Sequence, residues 1–461
     1  MSSHSSLNHI YRTVWNQSLG AMVAVAEIAS AGGRSSGAAG SATVNTLSAS
    51  FRLKALAAGV ALAWAGAPLT AVANPTGGVV VVGQATMATS GTHLLVTTQN
   101  GAGTNHSAIN WQSFSVPQGS TTFFQQPNAS STSINRVVSN TPSQLFGTLG
   151  SNGNLVLVNQ AGITVGAGAV VDTASFTASS LQMSDADALA GRMRFGSGSG
   201  SGGAVSMGGN VMARSGDVVL IGSSVDTGKD ALIKAPSGAT ILVAGSAVSI
   251  SSRGLEGIHF DVQAGANNAV NLGTLKGDAV GIFAGTLRHS GQIQAQAVQV
   301  EGGKVLLKAV ELAEISGAVK ASGANGLGGT IHTTADKVWL KGTALLDASA
   351  AKGGGEVLVG GGWQGKDARL SNAQISLVSQ GATIKVDATE QGNAGTAVVW
   401  ANGATRFDGR ISAKGGVLGG NGGNVEVSGK EYLDFRGSAE LLAPHGKAGM
   451  LLLDPASLTI Q

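Results

Sequence analysis

The sequence contains no cysteine among its 461 residues. This absence excludes disulfide bonds, thiolate metal sites and cysteine nucleophiles. Aromatic residues make up only 4 % of the chain and charged residues only 11 %, which disfavours a protein built mainly from surface helices. The missing cysteines have two open explanations: chance, or the need for an exported chain to stay free of cross-links in an oxidising compartment.

Glycine is abundant, with 71 residues, and hydrophobic residues make up 43 % of the chain. That hydrophobic content is too high for an intrinsically disordered protein. Many glycines combined with valine, alanine, serine and threonine indicate short strands joined by tight turns. The composition therefore predicts an all-β protein.

The positive charge is confined to the first residues of the chain. Residues 1–73 carry Arg12, Arg34, Arg52 and Lys54 against Glu27, a net charge of +3. The whole chain also carries +3, so the remainder is neutral. A nucleic-acid-binding protein would keep a basic face, and we therefore expect no nucleic-acid partner.

Residues 1–73 are typical of a cleaved leader. Arg52 and Lys54 precede an apolar run, Ala55–Ala67, which is too short to span a bilayer as a helix. A small-x-small site follows the run and predicts signal cleavage between Ala73 and Asn74. Such a leader directs the chain to the Sec machinery, and we expect it to be helical or disordered.

After residue 203 the sequence repeats one pattern. Apolar strand cores recur mostly every 19 to 27 residues, and a single spacing of 15 breaks the series. Gly-Gly pairs beginning at Gly302, Gly328, Gly354 and Gly422 precede several cores. Repeats of this length with strand content predict a solenoid, here a right-handed parallel β-helix. The cores begin at Asp217, Ala239, Ile258, Ala279, Lys304, Thr330, Glu356, Ala382, Ala397, Asn424 and Met450.

Two regions resemble a known family. Asn8–Glu27 resembles the extended signal-peptide region of large autotransporters and two-partner secretion exoproteins. Five ordered blocks resemble the amino-terminal secretion domain of filamentous haemagglutinin-like exoproteins: Ile109–Val116, Phe123–Pro127, Ile134–Val137, Pro142–Asn159 and Ala186–Phe195. Three later blocks resemble the high-molecular-weight adhesin branch of this family: Val357–Gly365, Gly420–Phe435 and Ala443–Pro455.

This resemblance implies the organisation and the partners of the chain. It implies a secretion domain over residues 74–195, and further β-helix repeats over residues 196–461 that we expect to be incomplete at the carboxyl end. It also implies an Omp85-class outer-membrane transporter whose periplasmic POTRA domains bind the secretion domain. The glycine- and serine-rich stretch 196–203 is a plausible boundary between the two parts.

Three residues are candidates for transporter recognition by the same resemblance: Asn135, Asn159 and Gly162. The family usually shows Asn-Pro-Asn-Gly where this chain has Asn159-Gln160-Ala161-Gly162. Asparagine and glycine both tolerate positive φ, so the turn is still expected to form. The missing proline removes rigidity, and the missing second asparagine removes a side-chain contact.

The function that fits best is a secreted adhesin or haemagglutinin-type exoprotein, which passes through the periplasm and is released or held at the cell surface. Its receptor, on host or bacterial cells, is not given by the sequence. One alternative is the delivery stalk of a contact-dependent growth-inhibition toxin, and another is a β-helical carbohydrate-active enzyme. An enzyme needs clustered carboxylates, and the pair closest in sequence, Asp185 and Asp187, lies at the start of a family block. We therefore expect no enzymatic activity, no metal and no cofactor.

Four polar residues complete the set of candidate sites. Asn105 and Asn128 each begin an Asn-x-Ser sequon and are possible glycosylation sites. His93 and His106 have no acidic or histidine partner at ligand spacing. We expect both histidines to lie in surface loops.

Overall fold

The computed structural model describes residues 11–16, 21–26, 73–196, 198, 202–261, 267–296 and 303–455. The chain divides into two compact units, Met1–Pro68 and Leu69–Gln461. In the described part of the chain, no helix is long and apolar enough to cross a membrane. The apolar run Ala55–Ala67 lies outside the described residues.

The described residues of the first unit form β1 (Tyr11–Asn16) and β2 (Ala21–Ala26), which pair in antiparallel orientation. The prediction of a helical or disordered segment is wrong over these twelve positions. Tyrosine, threonine, valine and tryptophan favour extended backbone; β1 contains all four, and β2 contains two valines. Local strand propensity therefore prevails over the expected helix in β1, and β2 pairs with it.

The second unit is almost entirely β-structure. Its described residues include a short α-helix, α1 (Asp185–Ala190), and 3₁₀ turns at Leu255–Gly257, Ala324–Gly326 and Trp363–Gly365. Its strands are, in chain order, β3 (Val79–Val82), β4 (Gln84–Ser90), β5 (His93–Gln99), β6 (His106–Trp111), β7 (Thr121–Gln125), β8 (Thr132–Val137), β9 (Ser143–Leu145), β10 (Thr148–Ser151), β11 (Asn154–Val158), β12 (Ile163–Val165), β13 (Val170–Thr173), β14 (Ser175–Ser179), β15 (Arg194–Gly196), β16 (Ala204–Met207), β17 (Asn210–Ala213), β18 (Val218–Gly222), β19 (Ser224–Thr227), β20 (Leu232–Ala244), β21 (Ala247–Ile250), β22 (Ile258–Asp261), β23 (Asn268–Asn271), β24 (Thr274–His289), β25 (Gln292–Gln296), β26 (Lys304–Ile315), β27 (Ala318–Ser322), β28 (Thr330–Thr334), β29 (Lys337–Leu340), β30 (Leu345–Asp347), β31 (Glu356–Val359), β32 (Ile375–Val378), β33 (Thr383–Lys385), β34 (Thr396–Ala401), β35 (Ala404–Phe407), β36 (Arg410–Ser412), β37 (Asn424–Gly429), β38 (Tyr432–Phe435), β39 (Ser438–Glu440) and β40 (Met450–Pro455).

These strands stack in three parallel ladders, which are the three faces of a β-helix. Face A runs from β6 and β8 through β11, β14 and β18 to β34, β37 and β40. Face B runs from β5 and β7 through β10, β13 and β17 to β33, β36 and β39. Face C runs from β9, β12 and β16 to β32, β35 and β38. The predicted parallel β-helix is confirmed.

All three ladders continue across residue 195, where the sequence analysis ended the secretion domain. β12 pairs with β16, β13 with β17, and β14 with β18. One core of alternating inward valine, leucine and isoleucine side chains runs the length of the ladders. Such coils are stable only when neighbours bury each other's apolar side chains, so residue 195 does not interrupt the stack.

Two segments leave the helix and lie on the outside of face A. The first, cover 1, consists of residues 180–196 and 245–261, which include α1 and the antiparallel sheet β15-β21-β22. The second, cover 2, is the loop of residues 360–373. Each buries outward apolar side chains of face A in a separate small core, because an outward apolar column would otherwise face water.

Two of the predicted strand cores do not lie on face A. The core at Ile258 is β22, which belongs to cover 1, and the core at Ala382 is β33, which belongs to face B. The other nine cores lie on face A. The irregular spacing of 15 therefore arises because a face-B strand was counted in a face-A series.

A column of glycines lies where the chain enters face A. A Cβ at Gly355 would lie 2.0 Å from the carbonyl oxygen of Gly329, and a Cβ at Gly395 would lie 1.8 Å from that of Gly355. Gly423 and Gly449 continue the series with 2.1 and 2.2 Å to the carbonyl of the preceding coil. Real Cβ atoms do not approach so closely, so glycine is required for the coils to stack at this corner.

A short polar column interrupts the apolar interior between faces B and C. Thr227, Asn271 and His289 follow one another in register and point inward. Asn271 Nδ2 donates to His289 Nδ1 at 3.0 Å, and His289 Nε2 lies 3.3 Å from the carbonyl oxygen of Ala318. Burial lowers the pKa of His289 to about 4, so the ring is neutral at pH 7.

Acid is expected to destabilise the fold through His289. In the unfolded chain the imidazole takes up a proton below its ordinary pKa of about 6.5, whereas the folded protein resists protonation down to about pH 4. The free energy of unfolding should therefore fall by about 3 kcal/mol between pH 6.5 and pH 4. Urea unfolding of the mature chain across this range measures the effect.

His289→Gln should remove this part of the pH dependence, because glutamine keeps an acceptor for Asn271 and does not titrate. His445→Gln, at an exposed position, is the control and should keep the wild-type slope. An unchanged slope in His289→Gln would show that other groups dominate the acid response.

Candidate secretion site

The turn between β11 and β12 is built around Asn159, whose side chain is fully buried. Its Nδ2 donates to the carbonyl oxygen of Thr141 and to Ser143 Oγ, both at 2.9 Å, while its Oδ1 accepts from the backbone N–H of Ala161 at 3.0 Å. Gly162 N–H donates to the Asn159 carbonyl at 3.0 Å, with φ of 112° at Gly162. The predicted turn forms without the family's proline and second asparagine.

Asn159 therefore joins two successive coils. Thr141 and Ser143 belong to the coil before the turn, and β12 pairs with β9 of that coil. All hydrogen-bonding atoms of the Asn159 side chain are used within the domain. In the folded protein this side chain is not available to a transporter. Its role in secretion stays a prediction, and in the folded protein such a role would come from stabilising the fold.

Asn135, on β8, points into the interior of the helix. Its Oδ1 accepts from Trp111 Nε1 at 2.9 Å, and its Nδ2 donates to Ser133 Oγ at 3.1 Å. Trp111 packs edge-on against Phe114 with ring centroids 5.7 Å apart, and Phe114 stacks on Phe124 at 6.1 Å. Asn135 thus fixes the aromatic start of the core, and no atom of it is exposed.

Arg136 is a structural residue that the sequence analysis missed. It points to the outside of face A, where its guanidinium donates to Asn110 Oδ1 at 3.0 Å, to the Met183 carbonyl at 3.1 Å, and to the Asp185 carboxylate. It therefore ties the first coils to α1. The sequence offered one signal for this ion pair: Arg136 lies in one family block, and Asp185 directly precedes another.

The acidic pair Asp185 and Asp187 lies in the first turn of α1. Ser184 caps this helix by accepting from the Asp187 N–H at 3.1 Å. Asp187 also pairs with Arg192 at 2.7 Å. Hydrogen bonds from Ser184 and Arg192 lower the pKa of Asp187. Each carboxylate has a structural cation partner, as expected of helix-terminal acids.

The two histidines also differ from one another. His93 begins β5 and is exposed, whereas His106 is buried at the start of β6. His106 Nε2 lies 3.2 Å from the carbonyl oxygen of Leu189 in α1, so the surface-loop prediction is wrong for His106. Among the described residues, no group of three histidine, aspartate or glutamate side chains is placed to hold a metal ion.

The first coils expose apolar side chains at one end. Val79, Met87 and Leu95 belong to β3, β4 and β5 and have exposed fractions of 61, 39 and 43 %. In the described part of the chain, β4 pairs along one edge only, with β5. An unpaired strand edge beside apolar side chains is a natural contact surface for another chain.

The predicted cleavage point precedes this end of the helix. Ala73 is exposed, and Asn74 Nδ2 donates to the carbonyl oxygen of Thr92 at 3.0 Å. The mature chain would thus begin at the first coil, and cleavage between Ala73 and Asn74 stays a prediction.

The two sequons have different geometries. Asn128 is exposed, and its Oδ1 accepts from Ser130 N–H at 2.9 Å and from Ser130 Oγ at 2.7 Å. In the other sequon Ser107 is fully buried, and Asn105 Oδ1 accepts from Asn100 Nδ2 at 3.5 Å. Only the Asn128 sequon presents its hydroxyl and amide together at the surface of the folded protein.

We therefore expect a glycosyltransferase that acts on the folded chain to modify Asn128 and not Asn105. Mass spectrometry of glycopeptides from the secreted protein measures the occupancy of each site. Asn128→Gln should remove the modified peptide, and Asn105→Gln should leave it unchanged. Equal occupancy at both sites would contradict the expectation.

The leader, the unbroken β-helix and the buried Asn159 turn together define a class: exported β-helical proteins whose first coils form a secretion domain. Residues 71–324, just over half of the chain, match the family described as the TPS secretion domain. Residues 8–58 match the extended signal peptide of the type V secretion system. The chain therefore belongs to the two-partner secretion exoproteins. The first match also crosses residue 195.

Solved and curated relatives agree with this assignment. The crystal structure of the HMW1 secretion domain from Haemophilus influenzae is similar, with a TM-score of 0.73 and 32 % identity, covering 83 % of this chain and 100 % of that one. Two heme/hemopexin-binding proteins of Haemophilus influenzae are 35 % identical over 104 residues and 34 % identical over 76 residues. These matches cover 23 and 16 % of this chain. The chain spans only 11 and 8 % of the length of these two proteins.

Membership in this family implies a route of export. The signal peptide leads through Sec into the periplasm, and a partner transporter in the outer membrane then secretes the chain.

Proposed function

We propose that this chain is an adhesin-type exoprotein, exported by an Omp85-class transporter and acting outside the cell or at its surface. The observation that supports it most is the continuity of the three ladders from the secretion domain to β38, β39 and β40. In such a stack each coil is stabilised by its neighbours. The stacked coils form an extended protein surface that can contact a cell or another solid surface.

We also propose that the chain is not an enzyme. Asp185 and Asp187, the carboxylates closest in sequence in the mature chain, form ion pairs with Arg136 and Arg192. General acid–base catalysis of glycoside cleavage needs a facing pair of free carboxyl groups. This arrangement supports a structural role for the pair.

The transporter part of the proposal concerns the exposed end formed by β3, β4 and β5. Since Asn135 and Asn159 are buried, a transporter that meets the folded domain would contact other groups, and the open edge of β4 is suited to strand addition. Surface plasmon resonance with immobilised POTRA domains of the partner tests this contact. The folded mature chain 74–461 should bind, and absence of binding by the folded chain would refute this contact, whether or not the urea-unfolded chain binds.

Attachment assays test the adhesin part. Cells that lack the gene should attach less to epithelial cells, to neighbouring bacteria or to glass than the parent strain, and a plasmid copy should restore attachment. Inhibition of neighbouring cells without any change in attachment would favour the delivery stalk of a growth-inhibition toxin. Unchanged attachment to all three surfaces would contradict the adhesin proposal.

A further inference from the structure

The outer side of face A carries an apolar column that the two covers do not fully hide. In register, it includes Ile241, Gly281, Leu306, His332 and Leu358. Cover 1 packs over the earlier members, and cover 2 packs over Leu358 and those after it. Leu306 is half-buried at the edge of the cover 1 core, and the buried His332 follows it in the column. A groove opens between the covers at these two residues.

The opening is a groove of about 460 Å³. Phe260 of cover 1 and Phe283 of face A form its first wall, with ring centroids 4.9 Å apart. Leu306 forms the floor, and Leu370 of cover 2 stands at the far wall. Along the helix axis the floor crosses about four strands, or roughly 14 Å. Its shape therefore suits an extended apolar chain lying parallel to the axis.

In the described part of the chain, most basic side chains that line the groove have an acidic partner, but Lys308 does not. Lys304 pairs with Glu256 at 3.0 Å, His332 with Glu356 at 2.7 Å, and Arg369 with Asp367 at 2.6 Å. Lys308 is exposed and lies 5.9 Å from the centroid of the Phe260 ring. Among the described residues Lys308 has no carboxylate partner.

Lys308 and Glu356 lie at opposite corners of the floor. Lys308 is in register with Thr334, whereas Glu356 is in register with Thr330 and Lys304, four residues away along the strand. At about 3.3 Å per residue this is roughly 13 Å along the strands. An anionic group at the Lys308 corner would therefore contact the unpaired lysine ammonium and lie more than about 10 Å from the Glu356 carboxylate.

We propose that this groove binds an amphiphilic anion. Its acyl or alkyl chain lies on Leu306 between the two covers, and its carboxylate or phosphate head pairs with Lys308. Burial of the chain against Leu306, Phe283 and Leu370 supplies the apolar part of the binding energy. Of the lysines and arginines that line the groove among the described residues, only Lys308 lacks a carboxylate partner, and its charge selects the sign of the head group.

Isothermal titration of the mature chain 74–461 with dodecanoate tests the proposal. We expect saturable binding at one site, similar binding of dodecyl phosphate, and no detectable binding of butyrate or inorganic phosphate. The last two probes distinguish an amphiphile from a free anion. Failure of dodecanoate to bind, or equal binding of dodecyltrimethylammonium, would overturn the proposal.

Substitutions locate the head group. Lys308→Glu should weaken dodecanoate binding about tenfold or more, and Lys308→Met should weaken it while keeping the apolar stem over Phe260. Lys320→Glu makes the same charge change on an exposed position of β27 and is the control. Circular dichroism establishes that each variant is folded. Wild-type affinity in folded Lys308→Glu would refute the assigned site.

Discussion

Asn159→Leu is expected to lower the free energy of unfolding by roughly 4 kcal/mol and to leave the precursor in the periplasm. Leucine has a similar volume but leaves the Ala161 N–H, the Thr141 carbonyl and Ser143 Oγ without the bonds that Asn159 now makes. A buried polar group without a partner costs about 1–3 kcal/mol. Urea unfolding of the mature chain and fractionation of producing cells measure the two effects.

The same substitution at an exposed asparagine is the control. Asn210→Leu, at the first position of β17, should be secreted and should change stability by less than about 0.5 kcal/mol. An Asn159→Leu protein that is as stable as wild type but stays in the periplasm would show direct reading of this side chain by the transporter. Normal stability together with normal secretion would show that the turn is dispensable.

Gly395→Ala is expected to destabilise the chain by about 3 kcal/mol, because its Cβ would lie 1.8 Å from the Gly355 carbonyl oxygen. The two coils can relieve this overlap only by separating, which weakens the packing on both sides. Limited proteolysis should then cut within the coils on either side of residue 395. Circular dichroism during urea unfolding measures the loss of stability.

Gly196→Ala is the matched control, since a Cβ at Gly196 meets no atom within 4 Å. Where the backbone accepts alanine, replacing glycine usually raises the free energy of unfolding by about 0.4–1 kcal/mol, because alanine reduces the conformational entropy of the unfolded chain. The two glycine substitutions are therefore expected to have opposite signs. Equal effects would contradict the role assigned to the glycine column.

The β-helix could be predicted because inward residues alternate and glycine marks the corners. Valine, leucine and isoleucine at alternate positions give the same pattern in every coil, as in Val357 and Val359 of β31. The covers could not be predicted in this way. β22 carries the same alternation as a coil strand, and only its antiparallel pairing with β21 distinguishes it.

The sequence indicated which residues belong to the candidate site, but it did not indicate how their side chains are oriented. Family blocks pointed to Asn135, Asn159 and Gly162, yet a sequence pattern does not say whether an asparagine faces solvent or the core. Hydrogen bonds to residues 16 and 24 positions away decide the burial of Asn159 and Asn135. For the same reason Arg136 was missed and His106 was wrongly placed in a surface loop, since their partners in α1 lie 49 and 83 residues away.

Export with and without the partner transporter tests the central claim most directly. The full precursor is produced in cells that carry or lack the transporter gene, and immunoblotting measures the protein in the medium, on the surface and in the periplasm. The account predicts a processed protein outside the cell only when the transporter is present, with periplasmic accumulation or degradation when it is absent. Equal amounts outside the cell in both strains would contradict it.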